Sequence, residues 1–201
     1  MRVIKKYQLK QILTSILLGG VMLGGAVPAH AAEVEGVRLI DRVRIADSAP
    51  ELVLNGAGVR TRFFFRVYVG ALYLPQKSAA APAIIQDAGA RRIALHMLRE
   101  LSAEQFIGAL EDGLQKNHAA DELAKLNPRV QQLRAIFEAV KTAKPGDVIF
   151  IDYLPGTGTR ITVNGAVQGM IAGEDFNRAL LRIWLGDSPA DSDLKKGMLG
   201  G

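Results

Sequence analysis

The chain has 201 residues, of which 49% are hydrophobic and 22% charged, so a disordered chain is excluded and one compact core can be buried. Cysteine is absent, which excludes disulfides, thiol nucleophiles and cysteine-ligated metal sites. The formal net charge of +5 comes mostly from residues 1–31, which hold four of the 25 basic residues and no acidic one, leaving 21 basic against 20 acidic residues. We therefore expect no nucleic-acid partner, since a phosphate-binding surface needs its basic excess in the folded region.

The N-terminal segment has the order of a secretory signal peptide, with basic residues within 2–10, an apolar run at 12–27 and the small-residue sequence Ala29-His30-Ala31. The competing interpretation is a membrane anchor, but the apolar run is short and glycine-rich for a span of about 30 Å. We predict a signal peptide over residues 1–31 that is cleaved at its end. A single domain over 32–201, without a stable membrane anchor, would then reside in the periplasm.

The first part of this domain is predicted to be extended. Residues 37–45 mix β-branched and charged side chains, which predicts a strand, and turns are expected at 46–50 and 55–58. Residues 59–74 alternate over more positions than most strands have, which predicts one long strand with a bend near Gly70. One side of that strand is rich in arginine and carries Arg60, Arg62, Phe64, Arg66 and Tyr68.

Helical patterns dominate the middle of the chain. Residues 78–88 predict a short helix and 93–98 a strand. Ser102 and Gln105 have the spacing of a capping box, which predicts that a helix opens there. A second helical region over 121–143 should break or kink at Asn127-Pro128, because proline interrupts helical hydrogen bonding.

The last part predicts a three-stranded meander and a closing helix. Strands are expected at 148–154, 160–163 and 166–171, with Asn164-Gly165 as the hairpin turn between the last two. A helix over 175–185 should stop at Gly186, and a short capped turn begins near Ser188. Strands, then helices, then a meander predict an α+β fold, in which helices cover one face of an antiparallel sheet.

Few side chains offer catalytic or metal-binding chemistry. His96 and His118 have no metal-ligating motif around them, the serines have no nucleophile motif, and the glycines at 56–58 lack the third glycine of a dinucleotide-binding loop. We therefore expect no metal and no cofactor. The remaining candidate is Arg60, which either belongs to a solvated face of the sheet or lies in an apolar cleft, where it must pair with an anionic or carbonyl-bearing ligand.

Leu54–Arg60 reads Leu-Asn-Gly-Ala-Gly-Val-Arg and leads into a strand that ends Gly-Ala-Leu-Tyr-Leu at Gly70–Leu74. This order resembles the chalcone isomerase family, where a G-A-G-x-R turn precedes a strand ending in a G-V-Y-L-like segment. Leu101-Ser102, Pro145-Gly146 and Leu185-Gly186 fit the same order. The chain is similar to the bacterial, secreted, chalcone isomerase-like branch. The resemblance implies an open-faced β-sandwich with a ligand cleft between the sheet and a layer of helices.

The resemblance gives Arg60 the role of the arginine that stabilises negative charge on a ketone oxygen in the plant enzymes. Those enzymes also place a Tyr, a Lys and an Asn on the helix opened by the Leu-Ser pair. In this chain Phe106, Ala109 and Gly113 stand at those positions. Only Arg60 is therefore a candidate catalytic residue, and the site would lack most of the groups that position substrate and move protons.

Other members of the family resemble fatty-acid carriers, in which the arginine and a helix tyrosine hold a carboxylate. Because Phe106 replaces that tyrosine, Tyr68 or Tyr153 would have to take its place. The ligand-binding residues implied here are Arg60, Tyr68 and Phe106.

Three functions remain open from the sequence. The favoured one is non-catalytic binding of a fatty acid or similar amphiphilic carboxylate or carbonyl ligand, because the guanidinium is kept while the proton-handling groups are lost. The alternative enzyme would be an intramolecular lyase or isomerase acting on an unsaturated carbonyl compound. The third possibility is a ligand-free interaction module that kept the fold and lost the pocket.

Overall fold

The computed structural model describes residues 32–201 and places an antiparallel sheet beneath a layer of helices. The predicted signal peptide and its cleavage site lie outside the described residues. The strands are β1 Ala32–Val34, β2 Val37–Leu39, β3 Arg42–Arg44, β4 Glu51–Arg62, β5 Phe65–Leu74, β6 Arg91–Met97, β7 Leu101–Ser102, β8 Thr142–Ala143, β9 Val148–Leu154, β10 Gly158–Val163 and β11 Ala166–Ile171. The helices are α1 Ala81–Gln86, α2 Ala103–Asn117, α3 Ala120–Val140, α4 Glu174–Leu185 and α5 Ser192–Met198.

The main sheet has seven strands in the order β11-β10-β9-β6-β5-β4-β3, and every pairing is antiparallel. β1 pairs with β2, and β7 with β8, in two small ribbons. The larger core lies between this sheet and the helices; α2 and α4 supply many of its buried side chains, including Leu110, Leu114, Phe176 and Trp184. The predicted α+β class, with helices on one face of an antiparallel sheet, is confirmed.

A second, smaller cluster lies on the other face of the sheet, where alternate residues of β5 such as Val69 and Tyr73 meet Leu39 and Ile45 of the N-terminal segment. A charged group completes that face. Asp152 is fully buried. Its carboxylate accepts two hydrogen bonds from Arg92 and one of 2.8 Å from Arg160. Arg160 also donates to the carbonyl of Ile45, which ties the N-terminal segment to the sheet.

The predicted single strand over 59–74 is wrong, because the chain turns back at Phe63-Phe64 to make a two-residue hairpin between β4 and β5. The turn contains no Gly, Pro, Asn, Asp or Ser, the residues that usually form turns. Phe63 nevertheless has a φ of 57°, a positive value that such residues adopt more easily. Gly70 lies in the middle of β5 rather than at a bend, and the predicted turn at 55–58 is part of β4.

Two other predicted boundaries change. α3 runs without interruption through Pro128, whose exposed position leaves the freed backbone carbonyl of Ala124 on the solvent side of the helix. The predicted strand over 37–45 is interrupted at Ile40-Asp41, where the Asp41 carbonyl accepts from Leu54 N–H instead. None of the helices in the described region is both long and apolar enough to cross a membrane.

Several local predictions are confirmed. Ser102 and Gln105 form both hydrogen bonds of a capping box at the start of α2. Asn164 and Gly165 both have positive φ in the turn between β10 and β11, as a type I′ hairpin requires. α4 stops at Gly186.

The glycines of β4 allow α5 to pack directly on the strand backbone. A Cβ built on Gly56 would overlap the carbonyl oxygen of Gly197 and lie 2.7 Å from Gly200 N, and one on Gly58 would lie 3.1 Å from the Cα of Leu194. The Gly-Ala-Gly segment is thus a docking surface for the C-terminal helix and not a turn.

We expect Gly56→Ala to destabilise the fold by about 1–3 kcal/mol, since the new methyl group meets backbone atoms that cannot rotate away. Gly108→Ala in α2 is the matched control, because a Cβ on Gly108 meets nothing within 4 Å. This substitution should raise the free energy of unfolding by about 0.5–1 kcal/mol, since alanine is a better helix former than glycine. Urea denaturation followed by circular dichroism would measure both. Equal stability of the two variants would contradict the packing described for α5.

Candidate functional site

Arg60 lies near the end of β4, directly opposite Tyr68 on β5, on the side of the sheet that faces the helices. Its guanidinium carbon is 5.6 Å from the centroid of the Tyr68 ring, a cation–π distance. Sequence alternation placed these two residues on one face of a single strand. The structure does bring them together, but through cross-strand pairing in a hairpin.

Tyr68 is a buried platform behind the guanidinium. Its hydroxyl oxygen accepts a hydrogen bond of 2.9 Å from Nε1 of Trp184 on α4. Burial raises the pKa of Tyr68, and this outweighs the lowering by the Arg60 charge and the Trp184 hydrogen bond. The phenol therefore stays protonated and neutral at physiological pH, and it does not neutralise Arg60.

The Arg60 guanidinium has donor capacity that the protein does not use. The residue is half-buried, its Nε is buried with no hydrogen-bond partner, and no carboxylate among residues 32–201 forms an ion pair with it. A cation held this way is costly unless another group pairs with it.

A small cavity of about 180 Å³ lies beside Arg60, at the margin between the sheet and the helical layer. Three of its lining side chains are basic and one is acidic, so it favours an anion. The lining residues are Arg60, Thr61, Arg62, Ala109, Asp112, Gly113, Lys116, Ser188, Pro189 and Ala190.

Two of the helix positions singled out by the sequence face this cavity. Ala109 and Gly113 both line it, so the register inferred for α2 places them where a longer polar side chain could have reached Arg60. A Cβ on Gly113 would lie 2.7 Å from Cγ2 of Ile183, which shows that an α4 side chain already occupies the space behind the cavity. The pocket is consequently shallow.

The remaining predicted residues lie elsewhere. Phe106 is buried in the main core, with its ring centroid 4.6 Å from that of Phe137, and does not line the cavity. Its assignment as a ligand-binding residue stays a prediction. Tyr153 lies against Arg91, whose guanidinium carbon is 4.5 Å from its ring centroid, so Tyr68 is the tyrosine that accompanies Arg60.

Asp191 is a site residue that sequence reasoning missed. Its carboxylate caps α5 by accepting from the N–H groups of Asp193 and Leu194, and it also accepts from Thr61 N–H at 2.9 Å. This bridge fixes the loop at 188–190, which forms one wall of the cavity. The capping pattern was visible in the sequence, but the partner on β4 was not.

Other depressions on the surface are not lined by the residues that the sequence predicts to bind a ligand. Two larger depressions, of about 390 and 310 Å³, have charged side chains around α4 and are lined by none of Arg60, Tyr68 and Phe106. No group of His, Asp and Glu side chains in the part of the chain that the structure describes could hold a metal ion.

An antiparallel sheet under a helical layer, with an arginine facing a cavity at its margin, defines an open-faced β-sandwich with a candidate anion site. A family model described as chalcone isomerase-like matches residues 31–200, and the chain belongs to that family. No curated protein matches the sequence. Among solved structures, a fatty-acid binding protein of Arabidopsis thaliana is similar at 16% identity and a TM-score of 0.64, over 82% of this chain and 92% of that chain.

We expect Tyr68→Phe to lower the free energy of unfolding by about 1–3 kcal/mol, because Nε1 of Trp184 would remain buried without an acceptor. Tyr73→Phe is the control, because Tyr73 is about as buried as Tyr68 and its pKa is raised to about 12 by burial with no hydrogen bond contributing. Urea denaturation followed by circular dichroism gives both values. An unchanged Tyr68→Phe protein would show that the indole N–H finds another acceptor.

Proposed function

We propose that the protein is exported to the periplasm, loses residues 1–31, and binds a fatty acid or similar amphiphilic carboxylate without transforming it. The observation that carries this proposal is the half-buried Arg60, which has no carboxylate partner among the described residues and faces a cavity. The fatty-acid binding of the Arabidopsis protein, which shares the fold, supports the choice of ligand class.

The cavity suits the head group of such a ligand. A carboxylate can accept two parallel hydrogen bonds from a guanidinium, and no carboxylate among residues 32–201 already pairs with Arg60. Arg62 and Lys116 add positive charge around the same space, which Asp112 offsets only in part. The protonated Tyr68 behind Arg60 adds no competing negative charge.

The acyl tail needs more room than the cavity offers. At about 180 Å³ the cavity falls below the roughly 300–1,000 Å³ typical of small-molecule sites. We place its extension at the contact between Gly113 on α2 and Ile183 on α4, because the three atoms nearest to a Cβ on Gly113 all belong to the Ile183 side chain. The tail would enter by displacing Ile183 toward the core.

The lining gives little support to catalysis. Where the family's enzymes place a lysine and an asparagine on this helix, Ala109 and Gly113 face the cavity. None of the side chains that line the cavity is a histidine, the group that most often moves protons near neutral pH. Binding of the head group is therefore the function that these residues can perform.

Native mass spectrometry of protein purified from the periplasm without detergent tests the proposal directly. We expect a polypeptide mass that begins at Ala32, together with a population carrying a fatty acid. With added dodecanoate at about 100 times its dissociation constant, wild type should gain about 2.7 kcal/mol of stability. Arg60→Ala should lose most of this gain, since the head group loses its partner.

Arg44→Ala is the matched control, because Arg44 is an exposed arginine of β3 that does not line the cavity. Its response to dodecanoate should equal that of wild type. If wild type shows no bound lipid and no stabilisation, the carrier proposal fails; chalcone cyclisation above the spontaneous rate that disappears in Arg60→Ala would support the isomerase instead.

Ile183→Ala tests where the tail goes. It should lower stability by about 2–5 kcal/mol and yet strengthen binding of longer fatty acids, since the space beside Gly113 is opened before the ligand arrives. Leu133→Ala is the control, because Leu133 is equally buried in α3 and does not contact the cavity. Equal effects of the two variants on affinity would place the tail elsewhere.

A further inference from the structure

The hairpin between β4 and β5 ends in three consecutive phenylalanines that the fold does not bury. Phe63, Phe64 and Phe65 are 83%, 95% and 59% exposed. Single exposed apolar side chains are common, but three large ones adjacent at the tip of a hairpin form a patch that usually marks an interaction site. We call residues 63–65 the aromatic tip.

The backbone holds the tip in a costly conformation. Phe63 is the first residue of the two-residue turn and has a φ of 57°, a region that bulky side chains rarely occupy and that glycine or asparagine would fill more easily. Replacing Phe63 with glycine would relieve the strain and reduce the exposed apolar area. The strained phenylalanine therefore points to a use for its side chain.

Arginines surround the aromatic tip. The guanidinium carbon of Arg62 lies 6.0 Å from the ring centroid of Phe63, and that of Arg99 lies 4.8 Å from the ring centroid of Phe65. Neither arginine forms an ion pair within residues 32–201, whereas Arg66 pairs with Glu35. Acidic residues reduce the positive charge here without pairing with these two arginines: Asp112 lines the same cavity as Arg62, Asp191 accepts from Thr61 N–H, and Glu100 follows Arg99 in the chain.

We propose that the aromatic tip inserts into the interfacial region of a bilayer that contains anionic phospholipid. The phenylalanine rings enter the boundary between head groups and acyl chains, while Arg62 and Arg99 bind lipid phosphates. Three consecutive rings that are each at least 59% exposed suit a fluid medium better than a protein pocket, which would have to match their shape. Arg62 also lines the Arg60 cavity, so docking would bring that cavity to the membrane surface.

Vesicle flotation of the purified protein tests this inference. Wild type should bind vesicles of phosphatidylcholine with about 30% phosphatidylglycerol, bind phosphatidylcholine alone more weakly, and lose affinity as salt rises. The double variant Phe63→Ser/Phe64→Ser should bind at least about tenfold more weakly, because it loses most of the apolar surface that enters the bilayer. Its circular dichroism should match wild type, since both side chains are exposed.

Val167→Ser/Met170→Ser is the matched control, because these exposed apolar side chains lie on β11 at the far edge of the sheet. It should bind vesicles like wild type. No binding by wild type, or equal binding by the tip variant, overturns the inference. Loss of self-association in the tip variant, without vesicle binding by wild type, overturns it in favour of a contact between copies of the chain. Dodecanoate binding of the tip variant should be unchanged, which separates this proposal from the proposed function.

Discussion

The contact between the backbone of β4 and the C-terminal helix α5 is the constraint on which the candidate site depends. Gly56 and Gly58 let α5 approach to a distance that no side chain would permit. Asp191 then caps the helix and accepts from Thr61 N–H, which holds the loop at 188–190 above Arg60. Without this contact the cavity would have no outer wall, and Arg60 would be an ordinary solvated residue at the end of a strand.

Three other arginines of the sheet, Arg91, Arg92 and Arg160, have protein acceptors of a kind that Arg60 lacks among residues 32–201. Arg92 and Arg160 share the buried carboxylate of Asp152. Arg91, almost fully buried, donates to Asn177 and to the carbonyl of Asp87, and burial lowers its pKa to about 10. The same fold thus supplies protein acceptors to cations that serve structure. Arg60 has an aromatic ring on one side and a cavity on the other, an arrangement that stability alone does not explain.

The sequence predicts the parts of the fold that local chemistry controls. The capping box at Ser102, the hairpin at Asn164-Gly165 and the helix stop at Gly186 each rest on neighbouring residues, and each is correct. The turn predicted at the glycines of β4 is wrong because the element that requires them, α5, lies about 140 residues further along the chain. Tertiary contacts of this kind leave no pattern in the strand itself.

The sequence does not predict the turn at Phe63-Phe64, and the reason is different. Phenylalanine favours strands, so local propensity predicts a strand where the structure has a turn. The chain nevertheless turns there, and the register that results places Arg60 opposite Tyr68 on the face toward the helices. The two-residue turn between β10 and β11 is made by Asn164-Gly165, residue types that adopt positive φ at little cost and expose no rings, whereas Phe63 adopts a positive φ with a bulky side chain. A phenylalanine at a position that favours glycine requires another cause. In this hairpin it coincides with exposed aromatic rings beside Arg62 and Arg99, which form no ion pair within residues 32–201.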